Sequence, residues 1–241
     1  VGSMGAACRC AYCGVSYCSA RCRDAALRLY HRRLCRARSA PVAAFEAHAR
    51  DARNEFYVLA ARLVVMYPSA KRRPWLQFAS KRYWDTLPLP EYVTDPSLDA
   101  FFRTQVRRQV AESHDLLCKA LTCSSSSSSS SKSASAEPCC ASSVVKEEVC
   151  FEEYASLTGM LRLNAADFRG GIALYATHSA LNHGDTPNVD VVYDEARWRG
   201  AHLIVLAKRD LDFGEELLAD YIHADLSQHD RRLQLRDHYA I

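Results

Sequence analysis

The stretch LNHGDTPN, residues 181 to 188, decides which fold this 241-residue sequence predicts. It follows the apolar run of residues 172 to 175 and precedes a second strand-like run. Glycine, aspartate, asparagine and proline each favour turns for a different physical reason, so a loop between two strands is the simplest interpretation. That interpretation leaves His183 unexplained, because a connecting loop has no need of an imidazole.

The segments around this loop have strand patterns. Runs that are rich in β-branched and aromatic residues predict short strands at residues 171–177, 188–194 and 201–208. Because these runs stand beside several helical segments, the sequence predicts an α+β protein.

Helices are predicted to begin near Pro41, at Pro96, at Glu152 and at Arg231. The second helix has a cap residue, Asp95, and proline suits its first position because no N–H is left unpaired there. Apolar residues at three- and four-residue steps give the first helix one continuous core face. That face is formed by Phe45, Ala49, Ala52, Phe56, Leu59, Leu63 and Met66. The core face of the second helix is formed by Leu98, Phe102, Val106, Val110 and Leu117.

Composition divides the chain into four regions. Residues 1–38 are rich in cysteine and arginine, residues 39–121 have helical patterns, and residues 148–241 alternate strand and helix patterns. Residues 122–147 contain a serine-rich run that cannot bury apolar surface, so this region is predicted to be a flexible linker.

The composition excludes some classes of protein. The net charge of +3 is too weak to argue for nucleic-acid binding, and the basic clusters at residues 31–33 and 71–73 are interpreted as solvated surface. No apolar run approaches the ~18 residues that cross a bilayer, and the N-terminus has no apolar signal-peptide core. The expected location is therefore the cytoplasm, the nucleus or both, with no membrane partner.

Cysteine is the outstanding feature of the composition. Six of the eleven cysteines fall within residues 8 to 35. Without a predicted secretory signal, such a cluster indicates metal ligands in preference to a disulfide framework. The candidate ligands are Cys8, Cys10, Cys13, Cys18, Cys22, His31 and Cys35. The alternative is a set of buried or free cysteines beside an unrelated histidine. Cys139 and Cys140, in the serine-rich region, are interpreted as free thiols.

The spacing of these ligands suits zinc. Zinc binds four thiolates or imidazoles in tetrahedral geometry, and the two-residue gap between Cys10 and Cys13 lets one turn present two thiolates to one ion. Residues 22 to 35 are predicted to be mostly helical. His31 and Cys35, four residues apart, would then lie on one face of that helix.

This pattern resembles the MYND zinc finger, in which interleaved sets of ligands bind two zinc ions. The resemblance assigns one zinc ion to Cys10, Cys13, His31 and Cys35. It assigns Cys18 and Cys22 to the second zinc ion, with Cys8 as the ligand available upstream.

MYND fingers occur inside the SET-domain lysine methyltransferases, and LNHGDTPN resembles the Asn-His-Ser-Cys-x-Pro-Asn motif of that family. The string FGEELLADY, residues 213 to 221, resembles the family's Gly-Glu-Glu-Leu…Tyr motif. RRLQLRDHY, residues 231 to 239, resembles the helix that leads to the family's final cysteine cluster. The resemblance covers most of the chain and is closest to the divergent branch with a short-spaced finger. It implies an α+β protein with a SET-type, β-rich fold of small antiparallel sheets, an inserted MYND finger and a helical insert.

Several features depart from the family pattern. Asp185 stands where the family has a cysteine that binds a third zinc ion, although aspartate can also ligate zinc through oxygen. Gly184 replaces the family's serine. The chain ends at Ile241, where the final cysteine cluster would begin, and no glycine-rich S-adenosylmethionine loop precedes the finger. The resemblance therefore implies a chain cut at both ends, for which activity of the piece alone is not expected.

The resemblance implies a protein-lysine N-methyltransferase that uses S-adenosylmethionine and zinc. Tyr221 is then the hydroxyl at the methyl-transfer centre, and Tyr239 is a wall of the lysine channel. The implied contacts to S-adenosylmethionine are Asn164, Ser179, Asn182 and His183. The implied partners are a protein substrate, either a histone tail or another lysine-containing protein, and a proline-containing peptide at the MYND finger.

Simpler roles are also open for these residues. Asn164 could end the preceding helix, Ser179 could be a strand-end residue, and Tyr221 and Tyr239 could be core aromatics with satisfied hydroxyls. A rival function is a zinc-stabilised interaction module that has lost catalysis. The Asn-His and Glu-Glu motifs favour the enzyme, since a scaffold does not need them.

Overall fold

The computed structural model describes residues 8–68, 73, 77–78, 80–88, 95–123, 149–168, 171–193, 203–222 and 226–239. The predictions for the serine-rich run, for Cys139 and Cys140 and for Ile241 fall outside these residues. The described residues form small sheets and several helices, which confirms the α+β prediction. No helix among them is long and apolar enough to span a membrane.

Helices make up most of the regular structure in the described residues. The α-helices are α1 Ala20–Ala26, α2 Ala40–Asp51, α3 Glu55–Met66, α4 Pro96–Cys123, α5 Phe151–Asn164 and α6 Gln228–Gln234. Two of them continue as π-helical turns, α1 through Leu27–His31 and α6 through Leu235–Tyr239. Short 3-10 turns lie at Tyr83–Asp85 and His178–Ala180.

The strands of the described residues are short. They are β1 Cys8–Arg9, β2 Ser16–Tyr17, β3 Ala166–Phe168, β4 Gly171–Ala173, β5 Asn182–His183, β6 Val189–Tyr193, β7 Leu203–Ala207 and β8 Leu218–Ala219. β1 with β2, and β3 with β4, form antiparallel pairs. The other four form one sheet in the order β5-β8-β6-β7. The three predicted strands correspond to β4, β6 and β7, each shorter than predicted.

The chain divides into two compact units. The first consists of residues 1–74 and 104–158, and the second of residues 75–103 and 159–241. The first contains the Cys-rich segment with α1, α2 and α3, and the second contains the four-stranded sheet with α6. The four regions predicted from composition stay a prediction.

Helix faces form the core of the first unit. Its buried side chains include Val42, Phe45, Ala49, Tyr57, Ala60, Val64, Val110, Leu117, Leu121, Tyr154 and Leu157. The Tyr154 hydroxyl lies 2.8 Å from the hydroxyl of Ser113. This buried polar pair is therefore satisfied without water.

The single helix predicted from Pro41 is interrupted. α2 ends at Asp51, Arg53 has a left-handed φ of 49°, and the Asn54 side chain caps α3 by accepting a 3.1 Å hydrogen bond from the N–H of Phe56. The interruption shifts the start of the buried face of α3 by one residue, so that Tyr57, and not the predicted Phe56, is fully buried. The sequence pattern missed the break because arginine gives no signal for left-handed backbone.

Helix α4 begins at Pro96 as predicted, with Asp95 Oδ1 accepting a 2.8 Å hydrogen bond from the N–H of Ser97. Its predicted core face is correct only in part. Val106, Val110 and Leu117 are buried, whereas Leu98 and Phe102 are 53% and 40% exposed.

Within the basic cluster at residues 71–73, the structure describes Arg73, which is not solvated surface. Arg73 is buried, with 4% of its area exposed. Its guanidinium forms an ion pair with Glu153 and donates to the carbonyl of Tyr67 at 3.4 Å. A buried arginine is stable only when it is paired in this way, so Arg73 is part of the packing of the first unit.

In the four-stranded sheet of the second unit, the strand that comes last in the sequence, β8, lies in an inner position. β8 lies between β5 and β6 and pairs in parallel with both, so this sheet is mixed and not antiparallel as the resemblance implied. The pairing buries Leu181, Val189 and Ala219, with Val191 and Val205 packed against them. Parallel neighbours cannot be joined by a tight turn, so this arrangement requires segments that are distant in sequence.

Gly159 of α5 allows a close backbone approach within the second unit. A Cβ at this position would lie 1.9 Å from the carbonyl oxygen of Lys81 and 2.9 Å from the nitrogen of Tyr83. Both neighbours are backbone atoms, which cannot turn away as a flexible side chain can. Only glycine fits this position.

We expect Gly159→Ala to lower the free energy of unfolding by about 1–3 kcal/mol, because overpacking outweighs the better helix propensity of alanine. Urea denaturation followed by circular dichroism measures the change. Glu152→Ala, at an exposed position on the same helix, is the control and should change stability by less than about 0.5 kcal/mol. Equal stabilities of the two variants would show that residues 81 to 83 do not press on α5.

Candidate functional site

Four predicted ligands form one cluster in the first unit. The ligand atoms of Cys10, Cys13, His31 and Cys35 all lie within 4.8 Å of one another. Three of the four residues are buried, as in structural metal sites that are closed to solvent. Three thiolates and one imidazole are a donor set that zinc prefers, so the cluster fits a MYND-type zinc finger.

A tight turn presents the first two cysteines. Gly14, with a φ of +74°, closes the turn by donating from its N–H to the carbonyl of Cys10 at 3.0 Å. The N–H of Cys10 donates in turn to the carbonyl of Val15 at 2.9 Å. Glycine suits this position because left-handed backbone strains other residues.

The other two ligands come from the end of a helix. α1 and its π-helical turn end at His31, and Cys35 lies in the turn that follows. The prediction that both residues share a helix face was therefore wrong. They converge instead because the chain reverses after His31, bringing Cys35 back to the cluster.

The cysteines of the cluster differ in acidity. Hydrogen bonding from the backbone N–H of Cys13 lowers the pKa of Cys10 to about 6, while burial raises the pKa of Cys35 to about 11. A divalent cation would stabilise both thiolates, because metal binding deprotonates the thiols that ligate it.

Cys18 and Cys22 form a separate, exposed pair with their Sγ atoms 2.9 Å apart. Ser19 lies beside them and caps α1 by accepting a 3.1 Å hydrogen bond from the N–H of Cys22. Within the part of the chain that the structure describes, no third ligand joins them, and Cys8 lies on β1. A second zinc ion stays a prediction.

We expect Cys35→Ser to reduce the metal content of the purified chain by one equivalent and to lower its melting temperature, because the remaining three ligands bind metal less tightly. Elemental analysis and a thermal scan measure the two effects. Cys150→Ser, which changes an exposed cysteine outside the cluster, should alter neither. Full metal content in Cys35→Ser would contradict the assignment of Cys35 as a ligand.

In the second unit, LNHGDTPN forms β5 and the turn that follows it. Asn182 and His183 pair with Leu218 and Ala219 of β8, and the N–H of Gly184 donates to the carbonyl of Ala219 at 3.1 Å. The string FGEELLADY therefore lies directly beside LNHGDTPN. The structure brings together two of the motifs on which the resemblance rests.

Asn188 joins the end of the loop to the motif FGEELLADY by hydrogen bonds. Its Nδ2 donates to Glu215 Oε1 and to the Glu216 carbonyl, both at 2.9 Å, and its Oδ1 accepts from the N–H of Leu218 at 2.8 Å. This buried amide is fully used as donor and acceptor, and it sets the register of β8. Nothing in the sequence singles out Asn188, although it closes the motif LNHGDTPN.

Glu215 is held from three sides. The guanidinium of Arg209 contacts both carboxylate oxygens, with Nη1 3.1 Å from Oε2, and the N–H of Asp212 donates to Oε2 at 3.0 Å. These contacts and that of Asn188 lower the pKa of Glu215 to about 2, with Arg209 as the largest cause. The sequence did not indicate a role for Arg209, because only the turn between the two residues brings its guanidinium to Glu215.

Asn182 and His183 present polar groups on the loop. Asn182 is exposed and donates from Nδ2 to Glu216 Oε1 at 2.6 Å. His183 Nδ1 accepts from the N–H of Tyr221 at 3.3 Å, so the proton of the neutral ring lies on Nε2. Among the described residues, the buried Nε2 has no hydrogen-bond partner, and Asp185 Oδ1 is 3.6 Å away.

The two tyrosines predicted to be catalytic meet each other. The ring centroids of Tyr221 and Tyr239 are 4.7 Å apart, and the Tyr239 hydroxyl donates to the Tyr221 carbonyl at 3.3 Å. The Tyr221 hydroxyl donates to the carbonyl of Leu181. Burial raises the pKa of Tyr221, so this hydroxyl stays protonated at neutral pH.

Asn164 and Ser179 meet at the end of α5. Asn164 Nδ2 donates to the carbonyl of Met160 at 2.8 Å, and the Ser179 hydroxyl donates to the carbonyl of Asn164 at 3.0 Å. The helix does end at Asn164, as the simpler interpretation had it. A cofactor role for either residue stays a prediction.

Gly184 and Asp185, the two residues that differ from the family motif, have different surroundings. A Cβ on Gly184 would lie 3.0 Å from Cβ and Cδ1 of Leu218, so a serine there would push the Leu218 side chain aside. The side chain of Asp185 is 93% exposed. Within the described residues it belongs to no group of three or more ligand residues, so a third zinc ion stays a prediction.

A Cys/His cluster of MYND type, together with SET-type motifs paired across a small sheet, characterises SET- and MYND-type lysine methyltransferases. Comparison with known proteins gives relatives of that class. The chain matches no protein-family model.

The relatives share short stretches with this chain. It is 41% identical over 70 residues to histone-lysine N-methyltransferase SMYD3 of Homo sapiens, covering 29% of this chain and 15% of that protein. It is 36% identical over 90 residues to histone-lysine N-methyltransferase SET5 of Meyerozyma guilliermondii, covering 37% and 18%. It is 41% identical over 78 residues to the SET5 protein of Yarrowia lipolytica, covering 32% and 16%. These similarities confirm the resemblance to lysine methyltransferases that the motifs indicated. The matches span less than a fifth of the length of each of these three relatives.

We expect Arg209→Met to raise the pKa of Glu215 from about 2 towards its ordinary value of 4.5, because the largest stabilising contact of the carboxylate is removed. In the wild type this contact stabilises the fold above pH 4.5 and is lost as the pH falls through about 2. Carboxyl-carbon NMR titration measures the pKa directly. Lys208→Met, which changes the neighbouring exposed cation, should leave it unchanged. An unshifted pKa in Arg209→Met would refute the role of Arg209.

Proposed function

We propose that this chain is part of a protein-lysine N-methyltransferase, which transfers a methyl group from S-adenosylmethionine to a lysine of a histone or non-histone protein. The observation that carries the proposal is the pairing of β5 with β8, which sets Asn182 and His183 beside Glu216 and Tyr221. The names of the relatives, histone-lysine N-methyltransferases, support it.

The reaction makes limited demands on a protein. Methyl transfer from a sulfonium to an amine is an in-line displacement, so the site must position a neutral amine and stabilise the developing charge. A free lysine has a pKa near ~10.4, and a desolvated channel lowers it. The rings of Tyr221 and Tyr239, half-buried and 4.7 Å apart, supply apolar surface for such a channel.

Tyr221 is suited to orient the amine. Its hydroxyl stays protonated because burial raises its pKa, and it donates its hydrogen to the carbonyl of Leu181. The oxygen lone pairs are then left to accept a hydrogen bond from the N–H of a lysine. Tyr221 therefore directs the nitrogen lone pair and does not act as the base that removes the proton.

The residues of the loop fit S-adenosylmethionine. When bound, this cofactor supplies an electrophilic methyl group on a sulfonium. Asn182, which is exposed, offers both a donor and an acceptor to the zwitterionic amino-acid end, and the buried Nε2 of His183 offers a donor that the described residues leave without a partner. Asn164 and Ser179 would complete the binding surface from the end of α5.

Zinc at the MYND-type cluster would have a structural role. Cys10, Cys13, His31 and Cys35 supply all four ligands of a tetrahedral ion and leave no open position for chemistry. The ion would tie the turn before β2 to the end of α1. The finger could also bind a proline-containing peptide, and the chain would work in the nucleus, the cytoplasm or both.

One observation favours a second candidate function, an interaction module that binds partners through its finger and transfers no methyl group. Asp185 replaces the family's cysteine, and its side chain points to solvent with 93% of its area exposed. A chain that had lost catalysis would tolerate such a change.

We expect wild-type chain to bind S-adenosylmethionine in a calorimetric titration. Asn182→Ala should weaken binding about 10- to 100-fold, since a hydrogen bond to a charged group is worth roughly 1.5–3 kcal/mol. Asp190→Ala, which changes an exposed residue on strand β6 of the same sheet, is the matched control and should bind as the wild type does.

Methyl transfer to a mixture of histone tails and lysine-containing proteins then separates the two functions. Binding together with transfer that Tyr221→Phe abolishes would support the enzyme. Binding of peptides at the finger without binding of the cofactor would support the interaction module and reject the enzyme.

A further inference from the structure

Asp220 joins three parts of the second unit. Its Oδ1 accepts a hydrogen bond from the N–H of Ile222 at 3.0 Å. Nη2 of Arg231 donates to both carboxylate oxygens, at 3.0 and 3.1 Å. Oδ1 also lies 3.8 Å from Nδ1 of His183. The residue immediately before Tyr221 therefore connects the loop, the end of β8 and helix α6.

Arg231 makes its contacts in a partly buried position. Its Nη1 donates to the carbonyl of Ile222 at 3.3 Å, while Nη2 binds Asp220. The side chains of Arg231 and Asp220 are 18% and 24% exposed, so solvent and salt screen this pair less than they screen surface ion pairs. The guanidinium presents several donors in a rigid plane, which lets one side chain bind a carboxylate and a carbonyl together.

Tyr239 belongs to the same helical stretch as Arg231. It follows Arg231 by about two helical turns, at the end of the π-helical turn that continues α6. Its hydroxyl reaches the carbonyl of Tyr221, the residue next to Asp220. The helical stretch therefore contacts three consecutive residues after β8, Asp220 and Ile222 through Arg231 near its start and Tyr221 through Tyr239 at its end.

A second arginine holds the far end of this stretch. Nη2 of Arg162, on α5, donates to the carbonyl of Asp237 at 3.1 Å. This contact fixes the position of the end of the helical stretch relative to α5. The contact between Arg231 and Asp220 fixes its start relative to Tyr221. The two contacts therefore hold the helical stretch that carries Tyr239 near both of its ends.

We infer that Asp220 and Arg231 are positioning residues that set the Tyr239 ring and hydroxyl against Tyr221. The inference rests on the proposed function, in which these two tyrosines form the lysine channel. Neither Asp220 nor Arg231 has to touch the amine, because both act through the placement of Tyr239. Loss of the ion pair leaves the tyrosines in the chain but loosens the wall they form.

Hydrogen exchange tests the placement without any need for activity. Arg231→Met should speed exchange of the amides of residues 235 to 239 at least about tenfold, because the charge-assisted hydrogen bonds that oppose local opening are lost. Arg232→Met, at an exposed position on the same helix, is the matched control and should leave exchange unchanged. Asp220→Asn removes the charge with little change of shape, and it should reproduce the effect if Arg231→Met fails to fold.

Kinetics tests whether the placement matters for the reaction. Arg231→Met should lower kcat about 10- to 100-fold, as expected for a misplaced group, with unchanged affinity for S-adenosylmethionine. In a Tyr239→Phe background the same substitution should cause little further loss, because both changes remove one effect. Arg231→Lys should restore part of the rate, since a lysine keeps the charge but not the second contact.

The outcomes separate this inference from the proposed function. Faster exchange together with a non-additive loss of kcat supports positioning through Tyr239. Unchanged exchange in both Arg231→Met and Asp220→Asn, or independent losses of kcat for Arg231→Met and Tyr239→Phe, overturns it. If the wild type transfers no methyl group, the proposed function fails, and the exchange comparison alone decides whether the ion pair places Tyr239.

Discussion

The parallel pairing of Leu218 and Ala219 with Asn182 and His183 is the contact on which the candidate site depends. A strand of two residues has few backbone hydrogen bonds of its own, so its position must be fixed from outside. Asn188 does this by bonding to the backbone of Glu216 and Leu218 with its buried amide. That amide sets the register of β8, and the contacts of Glu216 with Asn182 and of Tyr221 with His183 and Leu181 then hold these residues against the loop.

Charge reinforces the same arrangement from the solvent side. Arg209 neutralises Glu215, whose carboxylate also accepts from Asn188 and Asp212, so one glutamate of the Glu-Glu pair is committed to structure. The other, Glu216, is left to face the amide of Asn182. The adjacent carboxylates of Glu215 and Glu216 thus have different structural roles, because their side chains bind different partners. A pair of acids in a sequence does not reveal this division.

The Cys/His cluster obeys a separate constraint. It lies in the Cys-rich segment of the first unit, which is built from two strands of two residues each and the short helix α1. Three cysteines and a histidine brought within 4.8 Å of one another can fix such a segment through metal bonds instead of a hydrophobic core. This explains why a segment rich in cysteine and arginine can adopt a defined fold.

The sequence by itself determined the α+β fold class and the resemblance to SET- and MYND-domain lysine methyltransferases. Ligand spacing identified the members of the cluster, and the motifs LNHGDTPN and FGEELLADY identified the loop and its partner strand. These predictions succeeded because metal ligation and turn formation depend on which residue types stand a few positions apart in the sequence. Helix α5 and the start of α4 were predictable for the same reason. The break at Arg53 was not, because a single left-handed arginine has no local signal and shifts the buried face from Phe56 to Tyr57.

Only the tertiary structure decided which distant residues share a contact. The insertion of β8 between β5 and β6, the burial of Arg73 against Glu153, and the bond from Arg231 to Asp220 each join residues through the course of the whole chain. Such contacts depend on how elements pack, which local patterns do not encode. The sequence named the two tyrosines, and the packing of the closing helix against the end of β8 is what brought their rings together.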